Sequence, residues 1–477
     1  MTTYQLQASH IIAYQAGQHR HLRDGVVVWE GNSIVHVGSS YEGPVDTAID
    51  AQDCIVTPGF VNTHAHLSGS PLDKSFIEDR GSRQFYLSGL FEYLPVRNAA
   101  QDTEASHAAL HFSMAEMLRS GTTTVLEIGS HGQAAIDAAG EAGLRLYMGL
   151  GYRSGSWHAD DGRRVTYTWN EEAGFKGLDS ALSLVRALNG SPEDRIRGCL
   201  SPMQIDTCTA ELLLASKSAA NELGVPLTLH ASQSVSEFQE MTRRHGRTPI
   251  EWLADIGFLG PEVILGHAII TAGSSWTNYY GDDLSILAQT GTKVAHCPWV
   301  FARRGIAMES YARYLDAGIT MTLGTDTCPQ SMIEAMRWAA VVSKLVERRT
   351  DVATAADVFN SATLSGAEAL GREDLGRIAP GAKADMVIWN AESLCMTPLR
   401  DPIKNIVYNA QGADVRSVVI DGDFCLRDGV ILGFDERAAV RDLQEAAERM
   451  WPAMERVDRD GRSVDQLSPQ SFPPFQE

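Results

Sequence analysis

From residue 58 to residue 378 the chain alternates short, nearly unbroken apolar or β-branched runs with longer stretches whose apolar positions have a helical period. The runs TTTVLEI (122–128), LYMGL (146–150), LTLH (227–230), VILGH (263–267), KVAH (293–296) and ITMTLGTD (319–326) predict strands, and 210–223 and 331–348 predict helices. Strand then helix, repeated over about 320 residues, is the pattern of a parallel sheet. That length suits a closed (β/α)8 TIM barrel better than an open sheet.

Both ends of the chain read differently. Residues 1–57 carry short β segments, GVVVW (25–29), SIVHV (33–37) and AID (48–50), with turn chemistry at Asp24-Gly25 and Gly31-Asn32. Similar segments return far downstream as ADMVIW (384–389) and VRSVVIDG (415–422). The two ends are therefore expected to meet in one small β-sandwich, formed by 1–57 and 379–435 around a barrel spanning 58–378. Residues 436–477 predict a charged surface helix and an extended tail, SPQSFPPFQE, read as a solvated appendage.

Composition narrows the class. A chain of 477 residues with 44% hydrophobic and 21% charged residues fits one large and one small globular unit. A formal net charge of −20 repels phosphate, so neither nucleic acid nor an anionic membrane is an expected partner, and a small molecule is. The seven cysteines are dispersed, with no C-x-x-C pair, which argues against a disulfide framework or a structural zinc knot and for a reducing cytoplasm. The amino-terminal stretch lacks a basic segment followed by an apolar one, and no run approaches the roughly 18 apolar residues of a membrane span. The expectation is a cytoplasmic protein.

Chemistry gathers at the strand ends. In VTPGFVNTHAH (56–66) two histidines stand two residues apart at the end of an apolar run. Alternate side chains of a strand share a face, so His64 and His66 aim at one point. His230, His267 and His296 end later runs, and Asp326 ends the last. One histidine at a strand end is usually a hydrogen-bonded core residue. Six polar groups at the carboxyl ends of parallel strands all face the mouth where barrel enzymes carry their active sites. Imidazole nitrogen and carboxylate oxygen suit Zn²⁺ or another divalent first-row ion, and a site with an open position activates water. Cys297 and Cys328 adjoin the same mouth but are the poorer candidates.

The stretches PGFVNTHAH (58–66), GTTT (121–124), LH (229–230), LGH (265–267), VAHCP (294–298), LGTD (323–326) and GRIAPGAKADMVIW (376–389) cover all but the tail. In order and spacing the sequence resembles the amidohydrolase superfamily, in the branch of cytosine, guanine and adenosine-homologue deaminases and the triazine hydrolases (chlorohydrolases). The resemblance implies a metal-dependent hydrolase acting on carbon–nitrogen bonds other than peptide bonds. It implies His64, His66, His230 and Asp326 as ligands of one divalent ion per subunit, Zn²⁺ before Fe²⁺, Co²⁺ or Mn²⁺. His267 would be a fifth ligand or a donor polarising the substrate carbonyl, Asp326 would also accept the proton of the metal-activated water, and His296 would support the mouth or touch substrate. Binuclear branches carry a carboxylated lysine on a middle strand; RGCLSPM (197–203) has none, so a single ion is inferred. The family also implies a homodimer or larger homo-oligomer.

The sequence departs from that family where protons move. Its deaminases read H-x-x-E after the fifth strand, whereas this chain reads HASQ (230–233), and Gln233 cannot titrate near neutral pH. Glu237, one helical turn on, is a substitute, although an exposed helix charge is the plainer reading. VAHCP continues as WVFARR (299–304) in place of a small polar residue and asparagine, and Asp326 is followed by Thr327 in place of glycine. Trp157, Trp276, Trp299 and Phe301 fall on predicted mouth loops, which with His296 suggests a pocket for a neutral aromatic or apolar molecule. The expected reaction is hydrolysis of an amide, urea, carbamate or thiocarbamate-like bond, with Asp326 and His267 catalytic and Gln233 in the glutamate's place; phenylurea and molinate hydrolases perform such chemistry. The alternative is a deaminase or chlorohydrolase acting on a triazine, pterin or nucleobase, with Glu237 or a water supplying the acid.

Overall fold

Eight parallel strands follow one another around a barrel: Phe60–Ala65, Thr122–Gly129, Arg145–Tyr152, Ile196–Pro202, Leu227–Ala231, Val263–His267, Lys293–His296 and Met321–Leu323. The computed structural model describes residues 2–76, 82–189 and 194–475. Each strand pairs in parallel with its neighbour in sequence order. The last meets the first just beyond the regular ladder, where the Asp326 amide donates to the His64 carbonyl (2.9 Å) and the His66 amide to the Asp326 carbonyl (2.8 Å). The expected helices are Ala210–Leu223, opened by the Thr209 hydroxyl accepting from the Leu212 amide, and Met332–Glu347, opened in the same way by Ser331.

The two ends of the chain build the sandwich as one continuous eight-stranded sheet. Thr3–Gln15, Gln18–Glu30, Ser33–Gly38 and Thr47–Pro58 come from the front, and Met386–Asn390, Val415–Ile420, Asp423–Arg427 and Val430–Ile431 from the back. The seam is Thr47–Pro58 against Met386–Asn390, antiparallel. Two buried indoles cross between front and back: Trp389 Nε1 donates to Thr57 Oγ1 (3.0 Å), and Trp29 Nε1 to the Gly422 carbonyl (3.1 Å). Leu6, Val27, Trp29, Val56, Met386, Ile388 and Val419 form the sheet's own core.

Two local readings need correction. The strand Thr3–Gln15 lacks a clean apolar alternation and was not anticipated. Asp24-Gly25 is a kink inside the continuous strand Gln18–Glu30, where Asp24 takes φ 49°; the actual tight turn is Ala16-Gly17, with φ 51° and 83°, as a two-residue hairpin of the mirror-image type requires.

Glu436–Val457 is helical as expected, but it is no mere appendage. Leu443, Ala446, Ala447, Met450 and Met454 pack on Leu72, Phe76, Tyr93, Val96, Ala105 and Ala109, so this helix backs the long excursion between the first two barrel strands. Beyond it, Arg459 donates to the Ala159 carbonyl (3.0 Å). Phe472 and Phe475 in the tail remain exposed. Among the described residues no helix is long and apolar enough to cross a membrane.

Barrel and sheet are also joined electrostatically. Arg145, fully buried at the start of the third barrel strand, donates to both carboxylate oxygens of Asp385 (3.1 and 3.2 Å) and to Asp421 (3.0 Å). Burial works to raise the Asp421 carboxyl, but Arg145, Lys383 and Arg195 outweigh it and hold it below the usual aspartate range. Its contribution is therefore present at neutral pH and lost as pH falls through that lowered value. Removing one partner of this group strands a buried charge. Asp385→Ala is expected to lower the unfolding free energy by about 3–5 kcal/mol in denaturant titration, whereas Arg416→Ala, at the exposed Asp53 and Asp428 pairs, changes it by less than about 1 kcal/mol.

Candidate active site

The site is built at the barrel's closing joint. His64 and His66 alternate from the end of the first strand, and Asp326 stands across the backbone hydrogen bonds that link it to them. His64 points into the wall itself, fully buried. Two glycines make room for this residue: a Cβ on Gly266 would lie 2.6 Å from the ring atom Cε1, and one on Gly324 would lie 2.7 Å from the His64 Cβ and carbonyl, where the two backbones run close. These are the central residues of LGH and LGTD, whose meaning in the sequence is thus steric. Three strand ends carry non-glycine residues in the left-handed region, Ser232 (φ 55°), His267 (φ 82°) and Asp326 (φ 61°), a clustering of strain common at functional sites.

The imidazoles have defined tautomers. His66 Nδ1 lies 2.6 Å from the Ile128 carbonyl, and His230 Nδ1 lies 2.6 Å from the Met203 carbonyl. A carbonyl only accepts, so both Nδ1 atoms carry the proton, and the two Nε2 atoms face each other as bare lone pairs 3.0 Å apart. Burial, followed by the neighbouring His66 ring, lowers His230 to about 3, so a proton is a poor bridge. Neither nitrogen of buried His64 has a hydrogen-bond partner. Asp326 Oδ1 is 3.9 Å from His64 Nε2 and 3.5 Å from His66 Nε2, while Oδ2 is 3.9 Å from His267 Nε2. Donors 3 to 4 Å apart and aimed at one point are the arrangement that ligands about 2.0–2.2 Å from one divalent ion adopt. The residues thus fit such an ion.

Charge balance points the same way. Burial and the adjoining imidazoles hold His64 and His267 well below the usual histidine range, and burial lowers His296 to about 3. Burial also raises the Asp326 carboxyl, against His66, Arg304 and Arg303. Neutral imidazoles of His64, His230 and His267 beside the carboxylate of Asp326 are a donor set suited to a divalent cation. Cys297, buried and with its thiol pushed well up, brings its sulfur near the same His64 and His267 nitrogens.

In front of this cluster lies a cavity of about 370 Å³. His66, His230, His267, Asp326, Gln233 and Trp157 line it. His296, Trp299, Phe301 and Trp276 do not. His296 lies behind, its ring 5.7 Å from that of Tyr311. The residues 298–302 form a short helix rather than a loop, and it turns Val300 to the cavity, while Trp299 packs on Trp338 and Phe301 sets its ring against the edge of His267 at 4.8 Å. Trp276 packs against the core. The wall is mixed: beside Leu90, Tyr93, Leu94 and Val300, the polar Asp73, Arg97, Arg153, Arg304 and Gln204 reach the cavity. Gln204 was legible, just past the end of the predicted strand RGCLSPM. Asp73 ends the short 3-10 turn Ser70–Asp73 and Arg97 sits on the short helix Tyr93–Ala100, both outside the repeating strand-then-helix pattern.

Glu237 is not the exposed helix charge expected. It is 1% exposed, and its carboxylate accepts from the Ser232 and Gln233 amides rather than lining the cavity. Trp157 has its own support. Its indole nitrogen and the Tyr167 hydroxyl, on the two strands of the hairpin Gly155–His158 and Thr166–Trp169, both donate to Asp206 Oδ2 at 2.8 Å. Phe91 meets the other side of Trp157 edge-on at 5.3 Å.

A barrel whose strand ends converge on imidazoles and a carboxylate that fit a divalent ion is the architecture of metal-dependent barrel enzymes. The sequence model of the amidohydrolase family matches residues 55–425, and the chain belongs to that family, as a hydrolase acting on carbon–nitrogen bonds other than peptide bonds. The chain is similar to a 5'-deoxyadenosine deaminase of Methanosarcina mazei, 30% identical over 433 residues that cover 90% of this chain and 94% of the relative. It is also similar to a 5-methylthioadenosine/S-adenosylhomocysteine deaminase of Halobacterium salinarum, 30% identical over 89% of this chain and 93% of the relative. Among solved structures, an adenosine deaminase from Xanthomonas campestris with bound zinc superposes with TM-score 0.81 (22% identity, 94% and 98% of the two chains). The atrazine chlorohydrolase of Arthrobacter aurescens TC1 complexed with zinc superposes with TM-score 0.79 (21% identity, 93% and 100%). At these identities the structural likenesses speak to the fold.

Two outcomes follow. Chelation is expected to lower the thermal midpoint and Zn²⁺ or Co²⁺ to restore it; free ion at a hundred times its Kd adds about 2.7 kcal/mol, and His230→Ala abolishes that gain in calorimetry. Asp206→Ala frees the hairpin, which is expected to increase proteolytic nicking at 159–165 while bound metal stays constant.

Proposed function

We propose that the chain hydrolyses an amide-like carbon–nitrogen bond, as in a urea, carbamate or thiocarbamate, using one divalent ion, Zn²⁺ by the character of its donors, held by His64, His66, His230 and Asp326. The observation that carries the reading is the position of Gln233. An amide borders the cavity beside His230 where a ring deaminase needs a titrating acid, and the nearby Glu237 carboxylate is occupied by backbone amides. An ion bound by these donors supplies Lewis acidity and lowers the pKa of water toward neutrality.

The chain's own groups do the rest. Asp326 takes the proton of the attacking water and returns it to the leaving nitrogen, a role suited to a carboxylate whose pKa burial pushes up. His267, at the same focus, steadies the oxygen on which charge develops, and Phe301 keeps its ring in place. A leaving amine needs one proton, which Asp326 already holds, so the loss of a second acid is tolerated. Ring deamination or dechlorination of an N-heterocycle is the second reading, favoured by the deaminase relatives and the chlorohydrolase fold neighbour.

Product-resolved assays separate the two. The zinc-loaded protein is expected to release amine from ureas and carbamates and no ammonia or chloride from pterins, nucleobases or triazines; the reverse overturns the first reading in favour of the second. Asp326→Asn is expected to cut kcat by about 10²–10⁴ with metal partly retained, and full activity in that variant would sink the scheme.

A further inference from the structure

Gln204 and Gln233 come from the ends of adjacent strands and touch one another at the cavity. The Gln233 Nε2 donates to Gln204 Oε1, and both residues line the space in front of His230. Neither is charged, and each is about 5% exposed. A primary amide has one carbonyl and one NH2, so a single bond between two of them leaves one carbonyl and one NH2 unused. Here these are Gln233 Oε1 and Gln204 Nε2, which have no protein partner among the described residues and are not sealed from the cavity. Exchanging O and N in both side chains leaves the same result: one acceptor and one donor, side by side.

Their backbones are anchored, so the edge is held in place. Gln204 forms a parallel bridge with His230, and the Gln233 amide donates to Glu237. Glu237, itself buried, accepts from the Ser232 amide as well, which holds the Gln233 backbone from both sides. An apolar ligand facing this edge would leave two buried polar groups unsatisfied, at a cost that selects against it.

We propose that Gln204 and Gln233 form a neutral donor–acceptor clamp that selects substrates presenting an N–H beside a carbonyl or ring-nitrogen acceptor. Gln233 Oε1 takes the N–H and Gln204 Nε2 donates to the acceptor. The inference rests on the amide-type reading above for the bond that is cut, and it narrows that reading: a urea or carbamate that keeps an N–H is accepted, and a fully N-substituted carbamate or thiocarbamate is refused.

The test compares matched probes on the zinc-loaded protein, by calorimetric Kd or by KM where a probe is turned over. One pair is phenylurea and the fully N-substituted 1,1,3-trimethyl-3-phenylurea; the other is 4(3H)-pyrimidinone and its 3-methyl derivative. In the wild type the N–H member is expected to bind at least about tenfold more tightly than its methylated partner. That ratio should fall toward one in Gln204→Ala and in Gln233→Leu, with zinc content and thermal midpoint unchanged. Gln204→Glu, nearly isosteric, replaces the free donor by an acceptor and should abolish the preference as well. A preference confined to the pyrimidinone pair and lost in these variants upholds the clamp while overturning the amide-type reading. Equal binding within both pairs in the wild type, or a preference that survives Gln204→Ala and Gln204→Glu, overturns the clamp.

Discussion

Two backbone hydrogen bonds, Asp326 to His64 and His66 to Asp326, close the barrel, and everything at the site depends on them. They join the first strand to the last at the residues whose side chains turn toward the ion-fitting focus. Fold closure and donor alignment are one event. A change that opens this joint moves a carboxylate relative to two imidazoles, so the site has no means of tolerating a loose barrel. Gly266 and Gly324 belong to the same constraint, since the His64 ring occupies the volume a Gly266 side chain would need and the His64 Cβ and backbone that of Gly324.

Electrostatics divides the molecule by scale. The chain as a whole carries a formal charge of −20, yet its cavity is bordered by Arg97, Arg153 and Arg304 with Asp73 and Asp326. At the focus His64, His230 and His267 are held neutral by burial and by neighbouring rings, and backbone carbonyls decide which nitrogen of His66 and His230 is free. The protein sets the donors; it leaves the positive charge to be supplied. Farther out, recognition passes to uncharged amides, where geometry rather than titration discriminates.

Much of this was legible in the sequence because it obeyed short periods. Strand runs ending in His or Asp fix both the barrel and the direction of the side chains, and VTPGFVNTHAH, LGH and LGTD gave the focus directly. What escaped has physical reasons. Trp299 and Phe301 looked like mouth residues because WVFARR was read as a loop, but Pro298 opens a helical turn there and a helix presents only one of three neighbours to the cavity. Arg97 and Asp73 come from the short helix Tyr93–Ala100 and the turn Ser70–Asp73, too brief to read from the sequence and placed by packing that only the folded chain reveals. Glu237 read as exposed because its helix is polar in sequence, whereas an orphan pair of amides at Ser232 and Gln233 draws its carboxylate inward. The strand Thr3–Gln15 was hidden by its mixed polarity, half of it being covered only once the distant Thr47–Pro58 lies beside it.

The helix Glu436–Val457 bears on the wall carrying Tyr93 and Arg97, although it is translated after all sixteen strands of the barrel and sheet. During synthesis a nascent chain can therefore finish its barrel and gather its donors while one side of the substrate chamber still lacks its backing. A chain cut between Ile431 and Glu436 would keep every strand and every donor and lose only the brace behind that wall.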